Sequence, residues 1–284
     1  MNDYENPLTP FPKEEYIEKY GVHHWNLKNG KTLTAISSPN WTDFITNLNL
    51  ITPNDELIVS PEIITCTETK SDIVGENKTL IEERIGQVKK LSASHPNTTL
   101  VLGTPIFSGE GKPKNGALII KDGTIVGQTA KRSGAIDWEK NNFMFDPEEE
   151  PFLIPETDLG ILICSDLAMM TIYLRPNKKI EDLNYVLTRS GHKNLVGFNP
   201  QFVHPKTKTL IVPSCWGIGG NNNLGGKTPT DQYYRTELRN TSFDVLRHAK
   251  QIQQIVVIDR APTSNNAQEF ITTKPINALF TAKI

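Results

Sequence analysis

Three side chains at the ends of apolar runs define the possible chemistry of this chain. In "LGILICSD", Cys164 closes a short apolar run; in "ELIVSPE", a second run ends in Ser60, Pro61 and Glu62; after "NGALIIKDGTIVGQTA" comes Lys131. A cysteine in such a place is either a core residue, because thiols are often buried, or a nucleophile at the carboxyl end of a strand, where open α/β sheets collect their reactive groups. Cleaving a carbonyl–nitrogen bond with a thiol needs a base for its proton and a positive or hydrogen-bonding group for the oxyanion. Histidine is the usual base, but His23 and His24 lie near the N-terminus, His95, His192 and His204 fall in loop-like segments, and His248 sits on a predicted helix. A Cys/His dyad is unsupported. Glu62 offers the base, against the alternative of an ordinary loop glutamate, and Lys131 offers the charge, against that of a solvated strand-end lysine. Asp166, two residues past the cysteine, reads as a structural hydrogen-bonding group.

These residues need a sheet to hold them. "LTAIS", "ELIVSPE", "TTLVLGTPIF", "DLGILICSD", "KTLIVPSCW" and "QQIVVIDRA" read as strands, and "ENKTLIEERIGQVKKLSASHP" as an amphipathic helix with Ile81, Ile85, Val88 and Leu91 on one face. A second helix is expected in "TDQYYRTELRNTSFDVLRHAKQ", where Leu238, Val245, Ala249 and Ile252 have helical spacing. Asp122 and Gly123 form the dipeptide that supplies positive φ in a tight hairpin, which places Lys131 at the far end of the returning strand. The mixture predicts an α/β or layered α+β protein. Residues 1–30 read as a polar extension outside the core, with a short helix in "KEEYIEKY", ahead of one domain over 31–284. "GIGGNNNLGGKTPTD" is a loop by composition, and its faint dinucleotide-like glycines are followed by polar sequence rather than an apolar helix.

Taken in order, the three motifs resemble those of the nitrilase, or carbon–nitrogen hydrolase, superfamily. "LIVSPE" is similar to its first motif, "GTPIF" with "NGALIIKDGTIVGQTAKR" to its second, "LGILICSD" to its third, and "LIVPSCW" to the strand that follows. The resemblance spans about residues 31 to 260. It implies a four-layer α-β-β-α sandwich, with Glu62 as general base, Lys131 as oxyanion stabiliser and Cys164 as nucleophile. It further implies that Glu139, in "IDWEKNNF", orients lysine and substrate, and that the Ser165 backbone N–H serves the oxyanion hole. The expected substrate is a small-molecule amide, or less readily a nitrile, cleaved without cofactor or metal by a homodimer or higher homo-oligomer. The alternatives are an acyltransferase using the same triad and a non-catalytic binding protein of this fold. Three departures stand out. Ser165 replaces a residue often aromatic, Ala168 stands where many amidases carry arginine, and the separation of Cys164 from Pro213 is unusually long, indicating an insertion at about 170–208.

Thirty Lys and Arg against 32 Asp and Glu leave no strong field for nucleic acid or an anionic membrane. Cys66, Cys164 and Cys215 are too few and too scattered for a disulfide framework or a CxxC metal site, which suggests a reducing compartment. The start carries no Sec signal, and no apolar run is long enough for a membrane span. The expected location is therefore cytoplasmic, with non-Sec export leaving no readable mark.

Overall fold

The computed structural model describes residues 16–27, 29–38, 40–69, 71–109, 111–134, 137–173, 195–198, 200–215, 242, 245–246, 249–259 and 266–271. In chain order its elements are β1 (Tyr16–Asn26), β2 (Thr32–Ser37), α1 (Trp41–Leu48), β3 (Leu57–Val59), α2 (Lys78–Ala93), β4 (Thr99–Ile106), β5 (Lys114–Lys121) and β6 (Thr124–Ala130). Then follow α3 (Asp137–Asn142), β7 (Phe152–Leu153), β8 (Leu159–Ile161), α4 (Asp166–Met169), β9 (Thr171–Tyr173), β10 (Leu195–Phe198), β11 (Thr209–Ser214), β12 (Gln254–Asp259) and β13 (Asn266–Ile271). Eleven strands are joined in the order β6-β5-β4-β3-β2-β1-β13-β12-β11-β8-β7, and β9 pairs with β10 in a separate ribbon.

The long strand β1 divides this sheet into two halves. Its residues from Gly21 to Asn26 run antiparallel to β2, whereas Tyr16 to Tyr20 run antiparallel to β13. In the first half β2, β3 and β4 are parallel, and β4, β5 and β6 form an antiparallel meander; in the second, β8, β11 and β12 are parallel. The two free ends of the order meet: the Phe152 ring of β7 occupies the space that a Cβ on Gly127 of β6 would need. The half-sheets therefore face one another.

Period-2 alternation explains why both faces of the first half are buried. Leu33, Ala35, Leu57, Val59, Val101 and Ile119 point inward and share a cluster with Ile161, Ile211, Val212, Val256 and Val257 of the second half. The residues between them, Ile36, Ile58, Leu100, Leu102, Leu118 and Ile120, pack outward against Trp41, Phe44 and Leu48 of α1 and Val88 of α2. Asn40 caps α1 by accepting from the Asp43 N–H, and α2 buries Ile81, Arg84 and Val88 on one face. One helical layer and two sheet layers are thus in place. The helix expected over 230–251 falls mostly outside the described residues, although Val245, Leu246, Ala249 and the adjoining Ile252 are buried in the interior cluster.

The N-terminal reading needs correction. Residues from Tyr16 onward are not an extension with a helix but the strand at the centre of the sheet, and Trp25 and Leu27 are buried. Lysine and two histidines interrupt the apolar alternation there, so the strand carries little period-2 signal. Within the expected insertion, β9 and β10 pair with each other, and 174–194 lie outside the described residues. Its final turns pack inward through Phe202 and Val203, with the Arg132 guanidinium 4.7 Å from the centre of the Phe202 ring. Among the described residues no helix is long and apolar enough to cross a membrane.

Candidate active site

Glu62 leaves the sheet where β3 ends. Ser60 ties this corner to β4, its N–H donating to the Val101 carbonyl at 3.0 Å and its hydroxyl accepting from the Gly103 N–H at 2.8 Å. A Cβ at Gly103 would run into the Pro61 carbonyl and the Glu62 Cα, so only glycine lets β4 pass this closely. The Glu62 N–H donates to the Ser214 carbonyl of the other half-sheet at 3.3 Å, and Ile63 follows in the left-handed region at φ 47°. The carboxylate is thereby turned into the interior and is 1% exposed.

Lys131 follows the last residue of β6, and its N–H donates to the Asn115 carbonyl at 2.7 Å. The hairpin expected from Asp122 and Gly123 is present, with both residues at positive φ. The Lys131 ammonium, with no exposure at all, donates to Glu62 Oε1 at 3.0 Å and to Glu139 Oε1 from α3. Burial works against that charge, but Cys164 when ionised, together with the Glu62 and Glu139 carboxylates, outweighs it and holds the lysine pKa well above its ordinary range. Lys131 is therefore a fixed cation.

Cys164 stands at a sharp corner between β8 and α4. Its N–H still follows the sheet, donating to the Pro213 carbonyl at 2.9 Å, but its φ of 46° is left-handed, a conformation a non-glycine residue holds only under constraint. This is strand–turn–helix geometry of the kind that presents a nucleophile. Burial and then the Glu62 charge push the thiol well above its ordinary pKa, against the opposing pull of Lys131 and of the Cys215 backbone N–H, which donates to the sulfur. The resting group is a thiol. The Ser165 backbone N–H beside it has no partner among the described residues, and the Ser165 hydroxyl donates to the Ser133 carbonyl at 3.4 Å.

The structure thus brings together Glu62, Lys131, Glu139 and Cys164, with Ser165 alongside. Sequence reasoning missed Asn115, which is wholly buried and donates from Nδ2 to Glu62 Oε1 at 2.7 Å and to Glu139 Oε1 at 3.2 Å. It heads the strand facing Lys131, and only the pairing register shows that the two side chains share a face. Gly103 and the Cys215 N–H were equally illegible.

Asp166 accepts the Arg132 N–H on both oxygens, at 3.0 and 3.2 Å. Burial chiefly raises its pKa from 3.8 to about 7. A carboxyl bound more tightly to its proton in the folded state stabilises fully below the unfolded pKa and loses that contribution as pH rises towards 7. The difference corresponds to about 4 kcal/mol. Asp166→Asn cannot ionise, so its melting temperature relative to wild type should climb between pH 4 and 7 and level off above. Thermal melts across that range test this; a constant difference would contradict it.

With this geometry in hand, the fold resembles that of solved nitrilase-superfamily proteins. No protein-family model and no curated protein matches the chain. Among solved structures it is similar to the glutamine-dependent NAD+ synthetase from Acinetobacter baumannii, at 18% identity and a TM-score of 0.50, over 86% of this chain and 38% of that one. It is also similar to a mutant of the amidase from Nesterenkonia sp. AN1 in which acrylamide has added to the active-site cysteine, at 12% identity and a TM-score of 0.50, over 86% and 78% of the two chains. That amidase is of the nitrilase superfamily. The chain spans well under half the length of the synthetase it resembles, and at these identities the likeness is one of fold.

Proposed function

We propose that this protein is a cysteine-dependent hydrolase of a non-peptide carbon–nitrogen bond, an amide in preference to a nitrile, acting through a thioester. The observation that carries this reading is the fully buried Lys131 ammonium, held between Glu62 and Glu139 and coupled by charge to Cys164. A buried ion cluster of this size is costly to maintain for stability alone. In the proposed cycle Glu62 takes the thiol proton and the sulfur attacks the carbonyl carbon. The oxyanion is met by the Lys131 ammonium and the Ser165 N–H, while Glu139 and Asn115 hold lysine and glutamate in place. The intermediate collapses, the carbon–nitrogen bond breaks, and the amine leaves with the proton from Glu62. Water, deprotonated by Glu62, then opens the thioester and frees the thiol.

The test is release of ammonia or amine from a panel of small amides, with intact-mass detection of an acyl adduct. Wild type should form the adduct on Cys164 and turn over; Cys164→Ala should do neither. Adduct formation followed by transfer to an added amine faster than to water would move the reading to an acyltransferase. An adduct on another residue, or equal turnover by Cys164→Ala, would overturn it.

A further inference from the structure

We propose that Cys164 and Cys215 are a redox pair, closing under peroxide into a reversible disulfide that silences the site and shields it from irreversible oxidation. The argument begins with the ladder. β8 and β11 are parallel, with Leu159 opposite Thr209 and Ile161 opposite Ile211. Beyond β8 the pairing continues, from the Leu162 N–H to the Ile211 carbonyl at 3.1 Å and from the Cys164 N–H to the Pro213 carbonyl at 2.9 Å. In a parallel ladder the next bond would run from the Cys215 N–H to the Cys164 carbonyl. The left-handed φ of Cys164 turns that carbonyl away, and it accepts from the Leu167 N–H instead, at 3.1 Å. The Cys164 sulfur receives the Cys215 N–H in its place.

One register step on neighbouring strands, about 4.8 Å apart with about 3.3 Å rise, separates the two Cα atoms by about 6 Å, inside the span a disulfide bridges. Both cysteines are thiols here, 6% and 9% exposed. The third, Cys66, lies in a turn beside Arg84 and is coupled by charge to that residue.

The chemistry balances with a peroxide as oxidant. The Cys164 thiolate, formed by proton transfer to Glu62 as in the reading above on which this step rests, attacks one peroxide oxygen. The O–O bond breaks, giving a sulfenic acid and a hydroxide that leaves as water with the proton held by Glu62. The Cys215 thiol then attacks that sulfur, the S–O bond breaks, and hydroxide leaves as water with the proton from Cys215. Two thiols lose two electrons and hydrogen peroxide becomes two waters. A small dithiol reverses the bond by exchange.

The experiment exposes the full chain to hydrogen peroxide, blocks remaining thiols with iodoacetamide, and maps peptides without reduction. The expected product is a Cys164–Cys215 linked peptide, with Cys164 alkylation lowered at least tenfold and restored by dithiothreitol. In Cys215→Ser, peroxide should instead carry Cys164 to a sulfinic acid that dithiothreitol does not restore. Over-oxidation of Cys164 in wild type with Cys215 still alkylated, or a link to Cys66, would overturn the pairing, and neither reading depends on how the variant folds. The acyl-adduct assay on reduced protein keeps the two proposals apart: an adduct without the linked peptide removes the switch alone, and the linked peptide without an adduct removes the hydrolase.

Discussion

Lys131→Met should lower kcat by about a hundredfold and, in the same protein, lower the melting temperature. Loss of one oxyanion stabiliser costs about 3 kcal/mol of transition-state energy. The stability loss has a separate origin. Lys131 is wholly buried and bonds both Glu62 and Glu139, so methionine leaves two buried carboxylates facing each other around Asn115 without a counter-charge. Removing one partner from a buried ion cluster typically costs about 3 to 5 kcal/mol. Steady-state kinetics and thermal melts on one preparation separate the effects, because kcat counts only folded, saturated enzyme. A variant that melts early yet turns over near the wild-type rate would leave Lys131 as a structural cation and dismantle the proposed triad.

Glu62→Gln should slow both halves of the reaction by about a hundredfold or more, since it removes the acceptor used first by the thiol and then by water. Glu62 Oε1 receives Lys131 at 3.0 Å and Asn115 at 2.7 Å, both donors. Glutamine can satisfy them with its carbonyl oxygen, keeping the shape of the site but presenting an NH2 where the second oxygen stood. The signature is kinetic: by intact mass the Cys164 adduct should form slowly and then persist. An adduct that appeared slowly and cleared at the wild-type rate would mean that another group activates water.

The sequence was most legible where local chemistry dictates geometry. Asp122 and Gly123 both take the positive φ that a two-residue hairpin demands, so the position of Lys131 could be read from a dipeptide. Cys164 and Glu62 were visible as polar residues ending apolar strands. The contacts made between strands distant in sequence were not. Asn115 matters because β5 pairs with β6 in one register, Gly103 because β4 passes the Glu62 corner, and the Cys215 N–H because Cys164 turns its own carbonyl aside. None of these leaves a periodic trace. The polar alternation of β1 hid a central strand for a related reason: His24 stays exposed while its ring contacts Thr34 and the buried Asp55, so one face of this central strand is polar and carries no apolar signal.

The place of β1 also sets an order of events in folding. Apart from the bond from the Glu62 N–H to the Ser214 carbonyl, the contacts described for Glu62 and Lys131 lie between β2 and α3, where a growing chain can make them early. Cys164 belongs to the other half-sheet, whose strand ladder is joined to that of the first through β1, where Tyr16 pairs with Phe270. That closure links residues from the two ends of the described chain and carries a high loop-closure entropy, the kind of contact that forms late. The ladder that fixes Cys164 relative to Glu62 and Lys131 is therefore completed late, and a chain stalled before β13 should hold the thiol and the ion pair less firmly together than the closed sheet does.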